Sequence, residues 1–558
     1  MATPRARVEL PGTVTGPLHG SAPRAEEPNP EERITVTVVV RSRTGSDDLG
    51  EALEAISRRL PHERSLLSPE EISQLYGSDP KDLAAVQAFA AEHGLQVIEA
   101  SAARSAVELS GSLADFSRAF GVRLKIFDAA RRPYRTHDDP VSVPRELRGI
   151  VEDVIGLDDR PLLNPHAAAA AGGTVTKLAY VDPRKLAEYY GFPPGATGAG
   201  QTVAILQFGG GFNQSDLETY FRLRGIKMPE MALVELSGQT NQPADRQTIL
   251  NCAAFYGLLD PSLTAEAEPN GCKGSPGAFW STIECSLDPQ ILGTVAPGAR
   301  LVTYMAPDTP QGYYTAFSKA IFDESYAPSV INCSWGSCEN QTPPSSMRSL
   351  DQLFQRAALK GVTLCASTGD YGDGAAACGG KATGHFPATS PHVLACGGTS
   401  VAADLSRETS WYEMLGGFPL SGGGGYSQVF DLPDWQEKKG IGAGQSGRGF
   451  PDVAAKADIL TGYDCVVTDL DLPMGGTSAS APMWAALVAL INETLGRPVG
   501  LLTPLLYTDA FAAALRDITE SGGGTCAPTP GWDSCTGLGS PIGQELLAAL
   551  RGSKPSPG

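Results

Sequence analysis

The stretch "QTVAILQFGGG" (201–211) is a nearly continuous apolar run that ends in three glycines. Strands that are apolar at consecutive positions are buried on both faces, as in a parallel sheet. The same pattern recurs in "ARLVTYMA" (299–306), "PSVINCSWG" (328–336), "GVTLCAST" (361–368) and "HVLACGGT" (392–399). Helices are predicted near 214–225, 313–324 and 345–360. The sequence therefore predicts an α/β domain whose mostly parallel sheet is covered by helices on both faces, with ligands beyond the carboxyl ends of the strands.

A separate front domain precedes this sheet. Its predicted elements follow the order β-α-β-β-α-β with one extra helix, the split βαβ pattern of a ferredoxin-like α+β domain. The strands are predicted at 34–40, 95–100, 106–110 and 122–127, and the helices at 47–60, 68–77, 80–94 and 113–120. Residues 1–33 are rich in Pro, Gly, Arg and Glu, which predicts disorder. The low-complexity stretch "NPHAAAAAGGTVTK" (164–177) is a domain linker and an easy target for proteolysis.

The composition is that of a globular protein, with 42% hydrophobic and 19% charged residues. A net charge of −19 disfavours a nucleic-acid or anionic-membrane partner, because both select basic surfaces. Such an acidic chain loses much of its self-repulsion when its carboxylates protonate, so it tolerates low pH. We find no apolar run of the length that a transmembrane helix needs, and no apolar block of a signal peptide at the N-terminus.

The eleven cysteines all lie after residue 250, and no two of them are spaced as C-x-x-C. This spacing argues against a zinc or redox centre. Their number predicts disulfides, for instance between Cys526 and Cys535, and the odd count leaves at least one free or intermolecular thiol.

A candidate nucleophile lies in "GGTSASAPMWAALVALINETLG" (475–496), which reads as a turn running into an apolar helix over about 478–495. A serine at the start of this helix, Ser478, is close to the positive end of the helix dipole and to backbone N–H groups that can hold an oxyanion. Taken alone, the pattern is equally typical of an ordinary Ser N-cap with Pro482 in the first turn.

The base that would activate Ser478 is not an evident histidine. Five of the seven histidines lie in the front domain or the linker: His19, His62, His93, His137 and His166. The other two, His385 and His392, fall in one loop-to-strand passage, "GHFPATSPHVLAC". Neither lies in a glycine-rich turn that opens a helix, so a Ser-His-Asp triad is disfavoured.

Carboxylates are the remaining candidates. In "STIECSLDPQILG" (281–293), Glu284 and Asp288 lie four residues apart on one face of a predicted helix. Like charges at this spacing destabilise a helix, and two close carboxylates in a poorly hydrated site share a proton, so the pair can act as a general base at acidic pH. Taken alone, such a pair is more often a solvated acidic patch.

A third carboxylate, Asp370 in "CASTGDYGDG" (365–374), follows a buried strand and precedes glycines. A protonated carboxyl at this position could donate a hydrogen bond to an oxyanion. The same residue in front of a glycine is also typical of an ordinary turn.

These motifs, in this order, resemble those of the sedolisins, the serine-carboxyl peptidases. The family signature G-T-S-x-x-x-P is matched by Gly476-Thr477-Ser478 and Pro482. The E-x-x-L-D motif is matched by Glu284, Leu287 and Asp288 ahead of "VAPGARLVTYMAP", and the "GD" after a strand by Gly369-Asp370. The likeness runs from about residue 34 to residue 550, and its front domain resembles the inhibitory propeptide of the family.

The resemblance implies a role for each of these residues. Ser478 attacks the scissile carbonyl, and Glu284 takes its proton and later returns it to the leaving amine. Asp288 orients Glu284 and shares the proton, and Trp335 orients the Glu284 side. Asp370, with the backbone N–H of Ser478, holds the oxyanion. Substrate contacts are implied for Ser334, Trp335 and Gly336 of "SWG" and for Gly423 and Gly424 of "GGGGYS" (422–427).

The resemblance also implies one structural calcium ion near the C-terminus. The motifs "RDIT" and "TPGWDSCTG" match its ligands, two Asp carboxylates and three backbone carbonyls. These ligands are Asp517, Ile518, Thr529, Gly531 and Asp533. Thr529 replaces the first glycine of the family's G-x-G-x-D motif, a change that a carbonyl ligand survives if the backbone path is kept.

Three departures from the family pattern concern the site. Gln207 lies where a member of the family has a glutamate that is linked through the "SWG" tryptophan to the catalytic Glu. Pro289 directly follows Asp288 and predicts a kink in the helix. Residues of about 245–282 form an insertion, with Cys252 and Cys272, that lies just before Glu284 and could reshape the cleft.

The sequence thus predicts the zymogen of an acid-acting serine-carboxyl endopeptidase that loses its prodomain by self-cleavage at low pH. The predicted parts are a disordered segment (1–33), an inhibitory prodomain (34–163), a linker with the cleavage position (164–178) and a peptidase domain with the calcium site (179–552). Its partners would be protein or peptide substrates and its own prodomain, with no nucleic acid and no membrane. By resemblance it is a secreted monomer. The alternative is an inactive or binding-only homologue.

Overall fold

The computed structural model describes residues 6–14, 16–129, 131–165, 180–259, 261–274, 276–415, 418–524 and 526–553. Within these ranges an N-terminal α+β domain packs against a larger α/β domain. Most of the linker predicted at 164–178, from residue 166 onward, lies outside the described residues. Among the helices that are described, none combines the length and the apolar character needed to cross a membrane.

The N-terminal domain contains nine strands and four α-helices within the described residues. The strands are β1 Arg7–Glu9, β2 Ala22–Pro23, β3 Arg33–Val40, β4 Gln96–Ser101, β5 Ala106–Ser112, β6 Leu124–Asp128, β7 Tyr134–His137, β8 Ser142–Pro144 and β9 Val151–Ile155. The helices are α1 Ser46–Ser57, α2 Pro69–Tyr76, α3 Pro80–Glu92 and α4 Leu113–Phe120. Short 3-10 turns follow at Pro61–Glu63 and Arg145–Leu147.

The main sheet of this domain has the order β4-β5-β3-β9, and all of its neighbours pair antiparallel. Helices α3 and α4 cover it with apolar side chains such as Val86 and Phe116, which are fully buried. This is the predicted ferredoxin-like arrangement, but its fourth strand is β9. The strand predicted at 122–127 becomes β6, which belongs to a separate sheet of order β2-β6-β7.

The N-terminal segment differs from the disorder that its composition predicts. Within residues 6–14 and 16–33, β1 pairs antiparallel with β8, and β2 pairs with β6. Leu10 is only 5% exposed and joins the core of the domain. The prediction for 1–33 was therefore wrong for these residues, because pairing partners more than a hundred residues away cannot be read from local composition.

The larger domain contains the remaining elements of the described chain. Its strands are β10 Asn164–Pro165, β11 Thr202–Phe208, β12 Glu230–Glu235, β13 Arg300–Ala306, β14 Val330–Cys333, β15 Trp335–Cys338, β16 Thr363–Ser367, β17 His385–Phe386, β18 Leu394–Val401, β19 Glu408–Ser410, β20 Tyr412–Leu415, β21 Phe418–Ser421, β22 Gly425–Asp431, β23 Gly447–Phe450, β24 Val453–Lys456, β25 Tyr463–Val467, β26 Leu470–Met474, β27 Leu515–Arg516 and β28 Ser540–Pro541. Its helices are α5 Pro183–Tyr189, α6 Gln214–Leu223, α7 Arg246–Tyr256, α8 Pro276–Val295, α9 Pro310–Ile321, α10 Pro344–Lys360, α11 Asp434–Glu437, α12 Thr477–Leu495, α13 Thr503–Leu506 and α14 Gly543–Leu550.

The central sheet has the order β12-β13-β11-β14-β16-β18-β19, and β24 also pairs with β18. Every pairing is parallel except that of β18 with β19. Successive residues of β11 serve opposite faces: Val203 and Ile205 join one core, and Ala204 and Leu206 join the other. The continuous apolar strands of the sequence are thus buried on both sides, as predicted.

Helices cover both faces of this sheet. Helices α8 and α12 pack together on the face of Val203 and Ile205. Helices α9 and α10 cover the opposite face. The N-terminal domain docks on α9 and α10 through β9, α1 and α2. The fold class predicted from the sequence is therefore confirmed, and the two buried helices α8 and α12 bring the candidate residues together.

Candidate active site

Ser478 lies in the first turn of α12 and is completely buried. The helix begins after Gly476, which has a φ of +89°, a backbone conformation that favours glycine. Ser478 is not the N-cap, because Gly476 holds that position without a side-chain cap bond. Its Oγ instead donates to Oε2 of Glu284 at 2.8 Å and lies 3.3 Å from the backbone oxygen of Ser334. The hydroxyl is therefore directed at a carboxylate and not at its own helix.

Glu284 and Asp288 lie one turn apart on α8, and both are fully buried. The solvated acidic patch is thereby excluded. Asp288 accepts from Ser334 Oγ at 2.7 Å through one oxygen and from Gln207 Nε2 at 2.9 Å through the other. Oε1 of Glu284 has no hydrogen-bond partner within the described residues. The charge of Asp288 acts on Glu284 across one turn of the helix.

Burial and mutual repulsion shift the protonation of this pair. Burial raises the pKa of Glu284 well above its ordinary range, and the negative charge of Asp288 raises it further. Burial also raises the pKa of Asp288 to about 7, although the donors around it act in the opposite direction. Two such carboxyls cannot both ionise at low cost, so the pair retains a proton at weakly acidic pH.

Asp370 follows β16 and is completely buried. Its Oδ1 accepts from the backbone N–H and from Oγ1 of Thr477, both at 2.8 Å. Its Oδ2 has no hydrogen-bond partner among the described residues. Burial raises the pKa of Asp370 to about 8, against the lowering effect of the Thr477 bonds. The carboxyl is thus protonated in acid and has one oxygen that can serve as a donor, next to the nucleophile's own turn.

Trp335 and Gln207 connect to the site in a different way from the one that the sequence suggested. The Trp335 indole donates to Oε1 of Gln207 at 2.8 Å, and Gln207 donates onward to Asp288. The chain of hydrogen bonds therefore ends on the carboxyl of Asp288, not on that of Glu284. Gln207 reaches Glu284 only at its backbone oxygen, at 3.5 Å.

Two of the expected substrate contacts lie on a strand edge. Strand β10, residues 164–165, directly follows the N-terminal domain and pairs antiparallel with the strand of Trp335 and Gly336. The chain thus occupies this edge with its own backbone. Ser334, also expected to contact substrate, instead uses its Oγ to bind Asp288.

Gly423 and Gly424 form backbone contacts inside the protein. The N–H of Gly423 donates to the Gly369 oxygen at 2.6 Å, and that of Gly424 to the Gly372 oxygen at 3.0 Å. A Cβ on Gly424 would lie 1.7 Å from the Ser534 oxygen. Their N–H groups are thus engaged with the Asp370 loop, and the substrate role that the resemblance implied for them is not visible in these contacts.

The five residues of the expected calcium site lie close together. Asp533 is 7% exposed, its Oδ2 accepts from the Thr529 N–H at 2.9 Å, and Asp517 accepts from the Gly531 N–H at 2.7 Å. The two carboxylates thus converge on one loop. Within the described residues, the carbonyl oxygens of Ile518, Thr529 and Gly531 accept no hydrogen bond. This set of hard oxygen donors fits a calcium ion.

Among the described residues, neither histidine of the larger domain hydrogen-bonds to Ser478. His392 binds Asp351 at 2.8 Å, and His385 lies 3.2 Å from the sulfur of Cys378. The cysteines form three disulfides among the described residues, and five further thiols are buried. The predicted bond between Cys526 and Cys535 is confirmed. Cys252 and Cys272 close the insertion, and Cys338 pairs with Cys378.

Sequence reasoning missed two contributors to the site. Thr477 holds the Asp370 carboxyl with its N–H and hydroxyl, and Asn332 donates to Ser334 Oγ at 3.1 Å. Thr477 belongs to the G-T-S motif and Asn332 lies two residues before "SWG", but nothing local distinguishes their side chains from structural ones. Pro289 lies inside α8, which continues beyond it to Val295.

Comparisons with known proteins cover both domains. Residues 21–160 match the family described as "Pro-kumamolisin, activation domain", and residues 273–505 match "Subtilase family". The chain is 37% identical to kumamolisin from Bacillus sp. (strain MN-32), over 99% of this chain and 98% of that protein. It is 27% identical to tripeptidyl-peptidase 1 from Mus musculus, over 94% of this chain and 92% of that protein.

A solved structure gives the same indication. Pseudomonas sedolisin, a serine-carboxyl proteinase complexed with two molecules of pseudo-iodotyrostatin, is 26% identical with a TM-score of 0.55. The match covers 67% of this chain and 99% of that one.

Proposed function

Because the chain belongs to the sedolisin family of serine-carboxyl peptidases, we propose that Ser478 is its nucleophile and Glu284 its general base. The chain is a zymogen of this family, with an activation domain ahead of a serine-type peptidase domain. The observation that carries the proposal is the 2.8 Å hydrogen bond from Ser478 Oγ to Glu284 Oε2, in a fully buried site. A nucleophile within hydrogen-bond reach of its base is the arrangement that acyl transfer needs.

The reaction proceeds in two steps. Ser478 Oγ attacks the scissile carbonyl while its proton passes to Glu284. Glu284 then gives this proton to the leaving amine, and an acyl-enzyme on Ser478 remains. Water attacks the acyl group by the same route, with Glu284 as base and then as acid. Asp288 acts on Glu284 through its charge, and Ser334 and Gln207 orient Asp288.

Asp370 stabilises the tetrahedral oxyanion together with the backbone N–H of Ser478. Its Oδ1 is fixed by Thr477, so the proton of the neutral acid is carried by Oδ2. The raised pKa, about 8, keeps this proton in place under acidic and neutral conditions. A buried donor aimed at developing charge commonly contributes about 10²–10³ in kcat.

The substrates are internal segments of proteins or peptides, which makes the enzyme an endopeptidase. Residues 164–165 support this assignment, because they run along the Trp335–Gly336 edge in the middle of a continuous chain. A substrate that binds at this edge through an internal segment does not need a free N-terminus near the scissile bond. A substrate would add a strand at this edge and be bound through main-chain hydrogen bonds.

Asp517, Ile518, Thr529, Gly531 and Asp533 would hold one structural calcium ion. When bound, calcium neutralises the two carboxylates and cross-links the two ends of the loop that they flank. Its role is to stabilise the fold and not to take part in peptide hydrolysis.

The prodomain (34–163) inhibits the peptidase domain (179–552) until acid-triggered self-cleavage within 164–178 releases it. The mature enzyme works as a secreted monomer in acid. Occupation of the Trp335–Gly336 edge by residues 164–165 is the contact that favours inhibition by blockade.

The test is incubation of the purified full-length chain at about pH 4, below the ordinary pKa of histidine. Wild type should shorten to a fragment that begins near residue 170 and should then cleave a denatured protein. Ser478→Ala should do neither. Ser480→Ala is the matched control, because Ser480 lies two residues further along α12, is equally buried and has an Oγ without a partner among the described residues.

Two outcomes would contradict the proposal. If wild type neither shortens nor cleaves, the chain is an inactive or binding-only homologue. If Ser478→Ala processes as fast as Ser480→Ala, in the absence of other proteases, Ser478 is not the nucleophile.

A further inference from the structure

A second cluster of reactive side chains lies behind the oxyanion carboxyl. Cys338, Cys378 and His385 bring two sulfurs and an imidazole nitrogen within 4.8 Å of one another. His385 Nε2 is 3.2 Å from the sulfur of Cys378 and 3.8 Å from that of Cys338. All three side chains are at most 2% exposed. The two sulfurs are joined in a disulfide, so the cluster is oxidised here.

The cluster joins the elements that frame the peptidase site. Cys338 ends β15, the strand of Trp335 and Gly336, and Cys378 lies in the loop that follows Asp370. His385 begins β17, which pairs with β15 through Cys338. The His385 ring also packs on the residue before Asp370, since a Cβ on Gly369 would lie 2.8 Å from Nδ1.

We propose that reduction of this disulfide creates a binding site for a thiophilic divalent cation such as Zn²⁺, with Cys338, Cys378 and His385 as its three protein ligands. A dithiol or phosphine supplies the two electrons, and two protons from solvent or dithiol complete the thiols. The cation then displaces both thiol protons and forms two metal–sulfur bonds and one bond to Nε2. The fourth position is left to water, as in sites with three protein ligands.

The distances fit this ligand set. With zinc–sulfur bonds of about 2.3 Å and zinc–nitrogen bonds of about 2.0 Å, a tetrahedral site separates sulfur from nitrogen by about 3.6 Å. The observed separations of 3.2 and 3.8 Å bracket this value. Breaking the sulfur–sulfur bond lets the sulfurs move apart around the cation, and Cys378 lies in a loop of partly exposed residues that can adjust. The site therefore needs small local movements only.

The sequence did not suggest this site, because its ligands are not spaced as C-x-x-C. Forty residues separate Cys338 from Cys378, and the three residues meet only through the pairing of β15 with β17. The proposal does not depend on the peptidase assignment, since it concerns cation binding and is read without substrate.

Cobalt(II) is the probe, because thiolate–cobalt bonds absorb in the near ultraviolet. Full-length Ser478→Ala, which avoids self-cleavage, is reduced with a phosphine, freed of it, and titrated with Co²⁺ while calcium is present. We expect one equivalent of cobalt with thiolate absorption in the reduced protein and none in the oxidised protein. His385→Gln should weaken binding by at least about tenfold, the lower range for changes around a metal ligand.

Controls separate this site from the other disulfides, which reduction also opens. Cys526→Ser/Cys535→Ser and Cys252→Ser/Cys272→Ser should keep the cobalt signal, and Cys338→Ser/Cys378→Ser should lose it. If Cys338→Ser/Cys378→Ser does not fold, alkylation of the reduced parent protein, followed by mass spectrometry, shows whether these two cysteines bind cobalt. Cobalt should protect Cys338 and Cys378 from the reagent. Equal alkylation with and without cobalt, or a signal that survives in Cys338→Ser/Cys378→Ser, would overturn the proposal.

Discussion

At the scale of single residues, Gln207 is one of three side chains that lower the pKa of Asp288. Its amide donates to one Asp288 oxygen at 2.9 Å, and its own oxygen accepts from Trp335 at 2.8 Å. The tryptophan can only donate, so it fixes the orientation of the amide. A donor on Asp288 stabilises the charged carboxylate and lowers its pKa, whereas burial raises that pKa. Gln207 thus limits how firmly the Glu284–Asp288 pair holds its shared proton.

Replacing the Gln207 amide by a carboxyl should shift the pH dependence of kcat/KM. In Gln207→Glu the hydrogen bond to ionised Asp288 is lost and a further acid is added nearby. Both changes raise the pH at which the pair loses its last proton. We therefore expect the basic limb of the kcat/KM profile to shift to higher pH, measured on a peptide substrate after activation.

Gln214→Glu is the control for this prediction, because it adds the same charge on the exposed side of α6. Its profile should match that of wild type. An unchanged basic limb in Gln207→Glu, or a shift of the same size in Gln214→Glu, would mean that Gln207 does not govern the pair.

Glu284, Asp288, Asp370 and Ser478 of the proposed site could be singled out only through the combination of their motifs. Each motif taken alone is also typical of an ordinary helix cap, an acidic patch or a turn. The partners of Asp288 could not be predicted in this way. Ser334 and Gln207 reach it from two different strands, and a contact between elements has no local signal.

At the scale of elements, three loops stack backbone to backbone behind Asp370. The N–H groups of Gly423 and Gly424 donate to the loop at Gly369 and Gly372. On the other side, Gly424 meets Ser534, in the loop of the proposed calcium site, with no room for a Cβ. Gly424 does not have a φ in the left-handed region, so its backbone conformation does not require glycine. Glycine is needed here because the two backbones approach too closely for a Cβ. The loop of the proposed calcium site therefore supports the Asp370 loop through Gly424.

Gly424→Ala should uncouple these loops. A Cβ placed 1.7 Å from the Ser534 oxygen forces the 529–537 loop away, and overpacking of this kind costs about 1–3 kcal/mol. We expect a lower melting temperature and a smaller rise of that temperature when calcium is added, since a displaced loop binds the ion less well. Thermal melting with calcium and with a chelator measures both effects.

Gly277→Ala is the matched change, because a Cβ at Gly277 meets nothing within 4 Å. It should leave both the melting temperature and its response to calcium unchanged. The stacking of the three loops would be refuted if the two variants responded alike.

The elements that the sequence predicted are those whose burial is continuous or strictly periodic. The parallel strands around β11 are buried at nearly every position and were found within about three residues of their ends. Strands that the sequence did not indicate include β1, β2 and β9 of the N-terminal domain and β12 and β24 of the central sheet, all of them short or carrying charged residues. They form because a partner strand is already in place, as β3 is for β9.

At the scale of the whole molecule, the stability of the zymogen depends on the contacts that the N-terminal domain makes with α9 and α10. Asp308 receives the N–H groups of Leu162 and Leu163 at 3.0 and 2.8 Å and pairs with Arg131 at 2.7 Å. Asp153 is buried in the interface and accepts from Ser345 and Ser346 at 3.0 and 2.8 Å. The protonation of Asp153 determines how this second contact responds to pH.

Burial raises the pKa of Asp153 from 3.8 to about 6, because the serine donors do not compensate for lost hydration. A pKa that is higher in the docked state favours docking when the group is protonated. The contribution of Asp153 is thus complete below about pH 4 and is lost as the pH rises through about 6. This difference amounts to about 3 kcal/mol. Acid tightens this contact, so the proposed release in acid has to originate at other contacts.

Asp153→Asn, made in the full-length Ser478→Ala background, should therefore stabilise the zymogen at pH 7 and not at pH 4. The amide removes the buried charge and keeps a carbonyl oxygen for Ser345 or Ser346. Thermal melting across this range should show a gain over the parent that shrinks as the pH falls through about 6. Glu152→Gln, which alters a partly exposed neighbour bonded to Gln352 in the same interface, should show only a weak trend, because the charge of Glu152 contributes least to the raised pKa of Asp153. A loss of stability at pH 7, or a gain that is constant with pH, would contradict this prediction. It would mean that Asp153 is ionised in the interface and that its hydrogen bonds compensate for the buried charge.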